Sequence, residues 1–286
     1  MSEVILEAVN IGFSYPDGTN ALRKVNLKIK KGEKLAILGS NGAGKSTLFL
    51  HLNGIQRPNT GEIKYRGQTI SYDKKALMEL RKQVGIVFQD PDSQIFSASV
   101  WQDISFGPMN LELSEDLVIE RVKQAMMDTE TSEFRDKPTH MLSYGQKKRI
   151  SIAGVLAMEP EVIIFDEPTA WLDPRHAREF MVLLEKLSQE GKTIIISTHD
   201  VDLAYSWSDR IAIMYSGEVI ADGEPAAIFR QPEIINRADL VLPWMLEMHH
   251  ELVQKGWLHS SAPLPKKRED LFNSIVVKNE RKLSVR

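Results

Sequence analysis

Cysteine is absent from this chain of 286 residues, which excludes disulfide bonds and thiolate metal sites. Long apolar runs are also missing, since no stretch of about 18 consecutive apolar residues occurs. The N-terminus lacks a basic start followed by an apolar stretch. We therefore expect a protein that is neither exported nor membrane-spanning and that is made and kept in the cytosol.

Charge of one sign is not in excess either. Lys and Arg together number 36, Asp and Glu together number 39, and the formal net charge is −3. This balance gives no electrostatic reason to expect a nucleic acid as a partner. The length fits one large α/β domain with an appendage, or two domains.

Residues 39–46 carry the most informative motif. An apolar run at 35–38 leads into Gly39-Ser40-Asn41-Gly42-Ala43-Gly44-Lys45-Ser46, and Thr47 opens a second apolar run. The order strand, glycine loop, helix is the context that the phosphate-loop pattern G-x-x-x-x-G-K-S/T requires. Glycines let backbone N–H groups surround an anion, Lys45 supplies charge for the β- and γ-phosphates, and the Ser46 hydroxyl can bind Mg²⁺. The sequence thus predicts a nucleotide site; the alternative is an ordinary glycine-rich turn.

Three further apolar runs end in polar residues. They are residues 84–88 followed by Gln89, residues 162–165 followed by Asp166 and Glu167, and residues 193–198 followed by His199. Open α/β sheets bind ligands at the carboxyl ends of their strands. We expect Asp166 to hold Mg²⁺ through water, Glu167 to polarise an attacking water, and His199 to hydrogen-bond a γ-phosphate. The alternatives are two solvated loop acids and a structural histidine.

A second anion-binding segment is predicted at Leu142-Ser143-Tyr144-Gly145-Gln146. Ser143 occupies an N-cap position, and its hydroxyl, Gly145 and the helix N-terminus together suit an anion. The alternative is a capped helix with a solvated basic turn, Lys147-Lys148-Arg149. Further along, Asp173 and Pro174 predict the N-cap and first residue of another helix.

The rest of the pattern predicts the framework. Antiparallel strands are expected at 4–9, 12–15 and 22–29, hairpins at 62–70 and 211–221, and a helical insertion at about 92–158. For Tyr15 the sequence favours a ring buried in the sheet over an exposed ring on which a purine could stack. Residues 232–260 predict a small helical appendage that could reinforce a dimer, and residues 261–286 a loosely ordered tail. His249 and His250 make a poor metal chelate, because adjacent helical residues diverge by about 100°.

In their fixed order these motifs resemble the ATP-binding cassette (ABC) ATPases of membrane transporters. The resemblance covers about residues 3–230 and is closest to the energy-coupling-factor type, especially the cobalt and nickel importers, at residues 90–96, 106–110 and 142–149. It implies an α/β phosphate-loop NTPase domain at 1–231, with an N-terminal antiparallel β-subdomain and an α-helical subdomain. Residues 232–286 would form the C-terminal helical appendage and tail.

The resemblance also implies roles for individual residues. Two cassette subunits would dimerise head to tail, so that residues 142–146 of one face the ATP and Mg²⁺ held by the other. Tyr15 would stack on adenine, Gln89 would assist Mg²⁺ and water, Glu167 would act as general base, and Asp173 would reach across the dimer. ATP binding would close the dimer and hydrolysis would open it. The segment from Gln89 to Phe106 would pass this movement to integral membrane subunits, at the cytoplasmic face of the membrane.

Two residues depart from the common pattern. Tyr144 replaces a glycine that most cassettes have, and Trp171 precedes Leu172 and Asp173. We interpret Tyr144 as a mark of the cobalt-type subgroup, because Ser143 and Gly145 are intact. Three alternatives stay open: a shared vitamin-transport module, a soluble cassette acting on DNA or ribosomes, and a phosphate-loop kinase or GTPase. Soluble cassettes of that kind usually carry two cassettes in one chain or coiled-coil insertions, and neither is present here. Phosphate-loop kinases and GTPases lack a second anion-binding helix.

Overall fold

The computed structural model describes residues 3–170 and 172–275, so Trp171 and the end of the predicted tail lie outside the described residues. Two β-sheets form the framework. The strands are β1 (Val4–Ser14), β2 (Asn20–Lys30), β3 (Lys34–Leu38), β4 (Thr60–Tyr65), β5 (Gln68–Thr69), β6 (Val84–Val87), β7 (Val162–Phe165), β8 (Thr193–Thr198), β9 (Arg210–Tyr215) and β10 (Glu218–Gly223). The helices are α1 (Lys45–Leu52), α2 (Lys74–Gln83), α3 (Val100–Asn110), α4 (Glu115–Asp128), α5 (Tyr144–Leu156), α6 (Pro174–Gln189), α7 (Val201–Trp207), α8 (Pro225–Ile228), α9 (Pro232–Arg237), α10 (Trp244–Gln254) and α11 (Arg268–Ser274).

The smaller sheet is antiparallel, in the order β2-β1-β4-β5. The expected hairpin at 62–70 is confirmed as β4 and β5. The prediction of separate strands at 4–9 and 12–15 is wrong, because β1 runs unbroken through both. Asn10 adopts a φ of 50°, and the pairing register shifts between Ala8 and Ile11. Asparagine tolerates this left-handed backbone, so the chain bulges and continues as one strand.

The larger sheet has the order β10-β9-β3-β8-β7-β6. Strands β9, β3, β8, β7 and β6 pair in parallel, and β10 closes an antiparallel hairpin with β9, as predicted for residues 211–221. Side chains of alternating residues enter different cores: Leu35 and Ile37 join the one shared with the small sheet and α1, whereas Ala36 and Leu38 join the one shared with the later helices. Both faces are therefore covered, which explains the unbroken apolar runs. The carboxyl ends of β3, β6, β7 and β8 share one edge.

The expected helical insertion lies between β6 and β7. It contains α3, α4 and α5, together with short 3₁₀ turns, and within the described residues no strand longer than an isolated bridge occurs between 92 and 158. Buried apolar residues of all three helices belong to one core, which includes Ile104, Val122 and Ile150. The insertion thus carries the start of α5 to the vicinity of the sheet edge where β6 ends.

Within the described residues of the C-terminal segment, 232–275, there is more regular structure than the composition predicts. Helices α9 and α10 fall within residues 232–260, where helices are expected, but α11 lies in the predicted loose tail. The difference arises because Leu271 is buried and the Asp270 carboxylate accepts hydrogen bonds from the backbone N–H groups of Lys266 and Lys267, at 3.1 and 2.8 Å. Among the helices of residues 3–170 and 172–275, none combines the length and apolarity needed to cross a bilayer.

Candidate nucleotide site

The loop at residues 39–44 joins β3 to α1, and at two of its positions only glycine avoids a steric clash with a neighbouring strand. A Cβ atom at Gly39 would lie 2.4 Å from the carbonyl oxygen of Met214 in β9. Gly44, the N-cap of α1, has a φ of 103°, and a Cβ there would lie 2.7 Å from the carbonyl oxygen of Ala21 in β2. Side chains at these positions would push the loop away from both strands. The close approach holds the N-terminus of α1 against the sheet edge.

A cleft of about 420 Å³ opens above this loop. Its lining residues are Tyr15, Thr19, Asn20, Ala21, Asn41, Gly42, Ala43, Gly44, Lys45, Ser46, Thr47, Gln89 and Glu167. The structure thus brings Gln89 and Glu167 to the phosphate loop, as expected from the common sheet edge. Tyr15 is half-buried and lines the cleft, and its hydroxyl lies 3.0 Å from Thr47 Oγ1. Its side chain is therefore neither fully buried in the sheet nor fully exposed.

Lys45 and Glu167 meet at the floor of the cleft. The Lys45 ammonium donates to the carbonyl oxygens of Gly39 and Ser40, at 2.6 and 3.2 Å, and lies 3.4 Å from Glu167 Oε1. Both side chains are more than nine-tenths buried. Glu167 Oε1 accepts no hydrogen bond from any group in the part of the chain that the structure describes. A buried carboxylate oxygen that has an ion-pair partner but accepts no hydrogen bond fits a site that receives a water molecule.

Ser197, at the end of β8, connects the two adjacent acids. Its hydroxyl donates to Asp166 Oδ1 at 2.5 Å and accepts the backbone N–H of Glu167 at 2.8 Å. His199 Nδ1 lies 3.0 Å from Glu167 Oε2. Glu167 has a φ of 43°, an uncommon backbone conformation for a non-glycine residue that functional sites often hold in place. The Asp166 carboxylate therefore bonds to Ser197, whereas the Glu167 carboxylate lies beside Lys45 and His199, so the two acids point to different neighbours as the sequence predicts.

The oxygen donors expected for Mg²⁺ are distributed around the same edge. Ser46 and Gln89 line the cleft, whereas Asp166 is buried below it on Ser197 and does not line it. A hydroxyl, an amide oxygen and a carboxylate are the donor types that Mg²⁺ prefers, and it commonly retains water ligands. The donor set therefore fits Mg²⁺ bound by Ser46 and Gln89, with Asp166 acting through water.

The predicted N-cap of α5 is confirmed. Ser143 Oγ accepts the N–H of Gln146 at 3.3 Å, and Gln146 Oε1 accepts the N–H of Ser143 at 3.0 Å, which is a capping box. Leu142 is buried and Ser143 is exposed, while Gly145 is half-buried. None of residues 142–146 lines the cleft of its own chain. The Tyr144 hydroxyl donates to the carbonyl oxygen of Gln89 at 3.2 Å.

The middle residue of the basic turn that follows is not solvated, contrary to the alternative considered for this turn. Lys148 is completely buried, and burial lowers the pKa of its ammonium from 10.5 to about 8. It donates to the carbonyl oxygens of Phe88 and Gln89, at 2.6 and 3.0 Å. The physical reason is rotation along the helix, since consecutive side chains point in different directions and the middle one faces the sheet.

Asp173 caps α6 as predicted. Its Oδ1 accepts the N–H groups of Arg175 and His176, at 2.9 and 3.0 Å, and His176 Nδ1 lies 2.6 Å from Oδ2. The backbone hydrogen bond from His176 is the largest cause of a lowered Asp173 pKa. Asp173 is exposed and outside the cleft. In the C-terminal segment His249 is buried and His250 exposed, and no group of three or more metal-binding His, Asp or Glu residues occurs within 3–170 and 172–275.

Comparison with known proteins agrees with this geometry. The family described as "ABC transporter" matches residues 22–170, which hold the phosphate loop, Gln89, the capped α5 and the acid pair. The chain belongs to this family. As a member of it, this cassette is an α/β phosphate-loop protein that binds and hydrolyses ATP.

Individual relatives cover most of the cassette. The energy-coupling factor transporter ATP-binding protein EcfA of Methanocaldococcus jannaschii is 53% identical over 239 residues, 84% of this chain and 86% of the relative. The structure of cbiO1 from Clostridium perfringens, part of the ABC transporter complex cbiONQ, is 48% identical with a TM-score of 0.72, covering 87% of this chain and 99% of that one. A dimeric post-hydrolysis structure of the cassette MJ0796 bound to ADP and Pi is 29% identical with a TM-score of 0.71, covering 77% and 99%.

Sequence reasoning missed several residues of the cassette's site. Ser197 could have been found as a polar residue at the end of an otherwise apolar strand. Thr19, Asn20 and Ala21 line the cleft just after the turn that follows Tyr15, although no motif includes them. Lys148 carried no signal of its own within a run of three basic residues.

Proposed function

We propose that this cassette is the ATP-hydrolysing, energy-coupling subunit of an energy-coupling-factor type importer. We further propose that the cargo of this importer is cobalt or nickel. The observation that carries the hydrolytic part is the cleft that gathers Lys45, Ser46, Gln89 and Glu167. The transporter type is supported by the name of the Methanocaldococcus relative and by the similarity to cbiO1, part of an ABC transporter complex. Cobalt or nickel as the cargo is supported by the resemblance at residues 90–96, 106–110 and 142–149. A shared vitamin-transport module is the alternative, because a cassette of this kind would serve either cargo.

The residues of the cleft have distinct roles in this proposal. The loop N–H groups and Lys45 bind the phosphates, and Tyr15 stacks on adenine. Ser46, Gln89 and, through water, Asp166 would hold Mg²⁺, which would supply charge that offsets the phosphate oxygens. Glu167 acts as general base toward a water at Oε1, which accepts no hydrogen bond and lies 3.4 Å from the Lys45 ammonium, while His199 and Ser197 orient the residue. Most of the rate enhancement is then positioning and electrostatics.

The complete site needs a second subunit. Residues 142–146 present a capped helix N-terminus, yet they lie outside the cleft of their own chain. In a head-to-tail dimer the Ser143 end of one subunit faces the nucleotide of the other, and Asp173 reaches across. The dimeric state of the related MJ0796 cassette supports this arrangement. ATP then closes the dimer, and hydrolysis reopens it.

A groove beside β6 and Phe88 suits an integral membrane subunit. Its volume is about 800 Å³, and it runs between α2, the segment after β6, and α3. Phe96 and Phe106 line it with their rings in edge contact at 4.7 Å, and both are at least half exposed. Gln94 bonds to the backbone of Ile86 and Phe88, which connects the groove to the end of β6. An apolar segment of a membrane subunit seated here would sense the movement of Gln89, placing the cassette at the cytoplasmic face of the membrane.

Replacement of Glu167 tests the hydrolytic role. Glu167→Gln removes the base but keeps the shape, so we expect steady-state ATP hydrolysis by the purified full chain to fall at least about 100-fold. Binding of ATP survives and dimers accumulate, as measured by a fluorescent ATP analogue and by size exclusion. Glu185→Gln is the matched control, since Glu185 also pairs with a lysine, Lys34, at 3.1 Å but lies outside the cleft. Normal turnover of the Glu167 variant would exclude that residue from the mechanism.

Co-purification tests the cargo. A tagged full-length chain, expressed in its own cells, is purified with its membrane partners, which are then identified. Recovery of a transmembrane subunit with a metal-binding integral protein is expected. Recovery of a vitamin-binding integral protein would favour the shared module, and the absence of any integral membrane partner would contradict the transport role.

A further inference from the structure

The start of α5 is bonded to the segment that follows β6 at three places. Lys148 Nζ donates to the carbonyl oxygens of Phe88 and Gln89, the Tyr144 hydroxyl donates to the same Gln89 oxygen, and Lys147 Nζ lies 2.5 Å from Asp92 Oδ1. Through these bonds one face of the first two turns of α5 is fixed to the backbone on either side of the Gln89 side chain.

Among these bonds, those of Lys148 stand apart. Lys147 and Asp92 are partly solvated, and exposed pairs of this kind contribute little to stability. Lys148 is fully buried and makes no ion pair within 4.0 Å with any carboxylate of the described residues. Burying an ammonium in this way is costly, and its lowered pKa reflects that cost. The charges of Asp166, Asp90 and Glu167 partly offset this lowering. The ammonium is thus held among the polar ends of the strands, where it is the donor to both carbonyl oxygens.

We propose that Lys148 is a positioning residue for Gln89. Its ammonium fixes the two carbonyl oxygens at the end of β6 to α5, so that the Gln89 side chain is held toward the cleft only while α5 keeps its place. Lys148 itself lines neither the cleft nor any part of the phosphate loop. In this proposal its hydrogen bonds act on hydrolysis through Gln89, whose carbonyl oxygen accepts one of them.

This inference rests on the proposed function and adds a connection between the two ATP sites of the dimer. Ser143, at the start of α5, faces the nucleotide of the partner, whereas Gln89 serves the nucleotide of its own chain. Lys148 joins the two elements with hydrogen bonds of 2.6 and 3.0 Å. A movement of α5 when it docks on the nucleotide of the partner therefore also moves the Gln89 that contacts the nucleotide of its own chain.

A double-variant cycle with Gln89 tests the proposal. Lys148→Met preserves the length of the side chain and removes its hydrogen bonds. In the full chain we expect kcat for ATP to fall about 10-fold or more, since small misplacements of reacting groups have effects of this size, while the Kd for a fluorescent ATP analogue changes by less than about 2-fold. Because Lys148 acts through Gln89, adding Lys148→Met to Gln89→Ala lowers kcat by less than about 2-fold further.

Two further variants make the result specific. Lys192→Met is the matched control, because Lys192 Nζ also donates to two carbonyl oxygens, those of Glu159 and Pro160, but lies away from the cleft. Its kcat is expected to stay within about 2-fold of the unaltered chain. Lys148→Arg keeps the positive charge and the hydrogen-bond donors, so we expect it to recover most of the lost kcat.

Independent outcomes separate the two proposals. An unchanged kcat in Lys148→Met, or single-variant losses that multiply in the double variant, would overturn the role of Lys148. If Lys148→Met does not fold, Lys148→Leu, which also removes the donor, replaces it in the cycle. The proposed hydrolytic role fails instead if Glu167→Gln leaves turnover intact, whatever the cycle with Gln89 shows.

Discussion

Glu167 is held by three groups from two distant parts of the chain. Lys45 comes from the phosphate loop, Ser197 from the end of β8, and His199 from the residues after it. The sequence predicts the acid, because a buried strand rarely ends in adjacent carboxylates without a cationic or catalytic reason. It does not predict Ser197 as the group that directs the two acids to different neighbours, since that contact spans 30 residues and depends on the order of the strands.

Two buried histidines make stability depend on pH. His51 and His249 each have a pKa below the ordinary 6.5, and burial is the largest cause in both. The folded chain keeps them neutral while the unfolded chain takes up protons, so their contribution is complete above pH 6.5 and is lost as the pH falls below it. We expect the free energy of unfolding to decrease there by up to about 1.4 kcal/mol per pH unit for each histidine.

Urea unfolding between pH 5 and 7.5 measures this slope. His51→Leu and His249→Leu should each make the curve flatter, and the double variant flatter still. His140→Leu is the control, since His140 is exposed. A slope that is unchanged in the double variant would show that carboxylates, not these histidines, set the acid sensitivity.

At the scale of elements, prediction succeeded where one residue pattern decides the structure. The apolar runs of β6, β7 and β8 fix these strands and their polar ends, and Ser143 and Asp173 fix two helix starts. Prediction failed where the structure of a segment depends on its backbone conformation or on a contact with a distant part of the chain. The left-handed Asn10 joins two expected strands into β1, and the short α11 depends on burying Leu271.

Helix α5 shows the same limit within a single turn. Three consecutive basic residues look alike in the sequence, yet Lys147 pairs with Asp92, Lys148 is buried at the end of β6, and Arg149 pairs with Glu130. Rotation along a helix sends neighbours to different surroundings. Which of them enters the interior follows from how α5 packs beside the sheet, and no local pattern encodes that.

At the scale of the whole molecule, the separation of residues 142–146 from the cleft predicts complementation between subunits. Lys45→Ala damages the phosphate loop, and Ser143→Arg damages the helix end offered to the partner. Each variant alone should be inactive, because both sites of its dimer are damaged. Mixing them forms heterodimers in which one site keeps an intact Lys45 and faces an intact Ser143. With random pairing, ATPase activity should recover to roughly a quarter of that of the unaltered chain.

A second mixture decides whether sharing explains the recovery. Lys45→Ala and Glu167→Gln both damage the cleft of their own chain, so a heterodimer of the two has no intact site and should remain inactive. If each chain instead supplied its whole site, the Lys45→Ala and Ser143→Arg mixture would stay equally inactive, because every chain present would carry one defect. Recovery in the first mixture and not in the second therefore requires that the start of α5 act on the nucleotide of the other subunit.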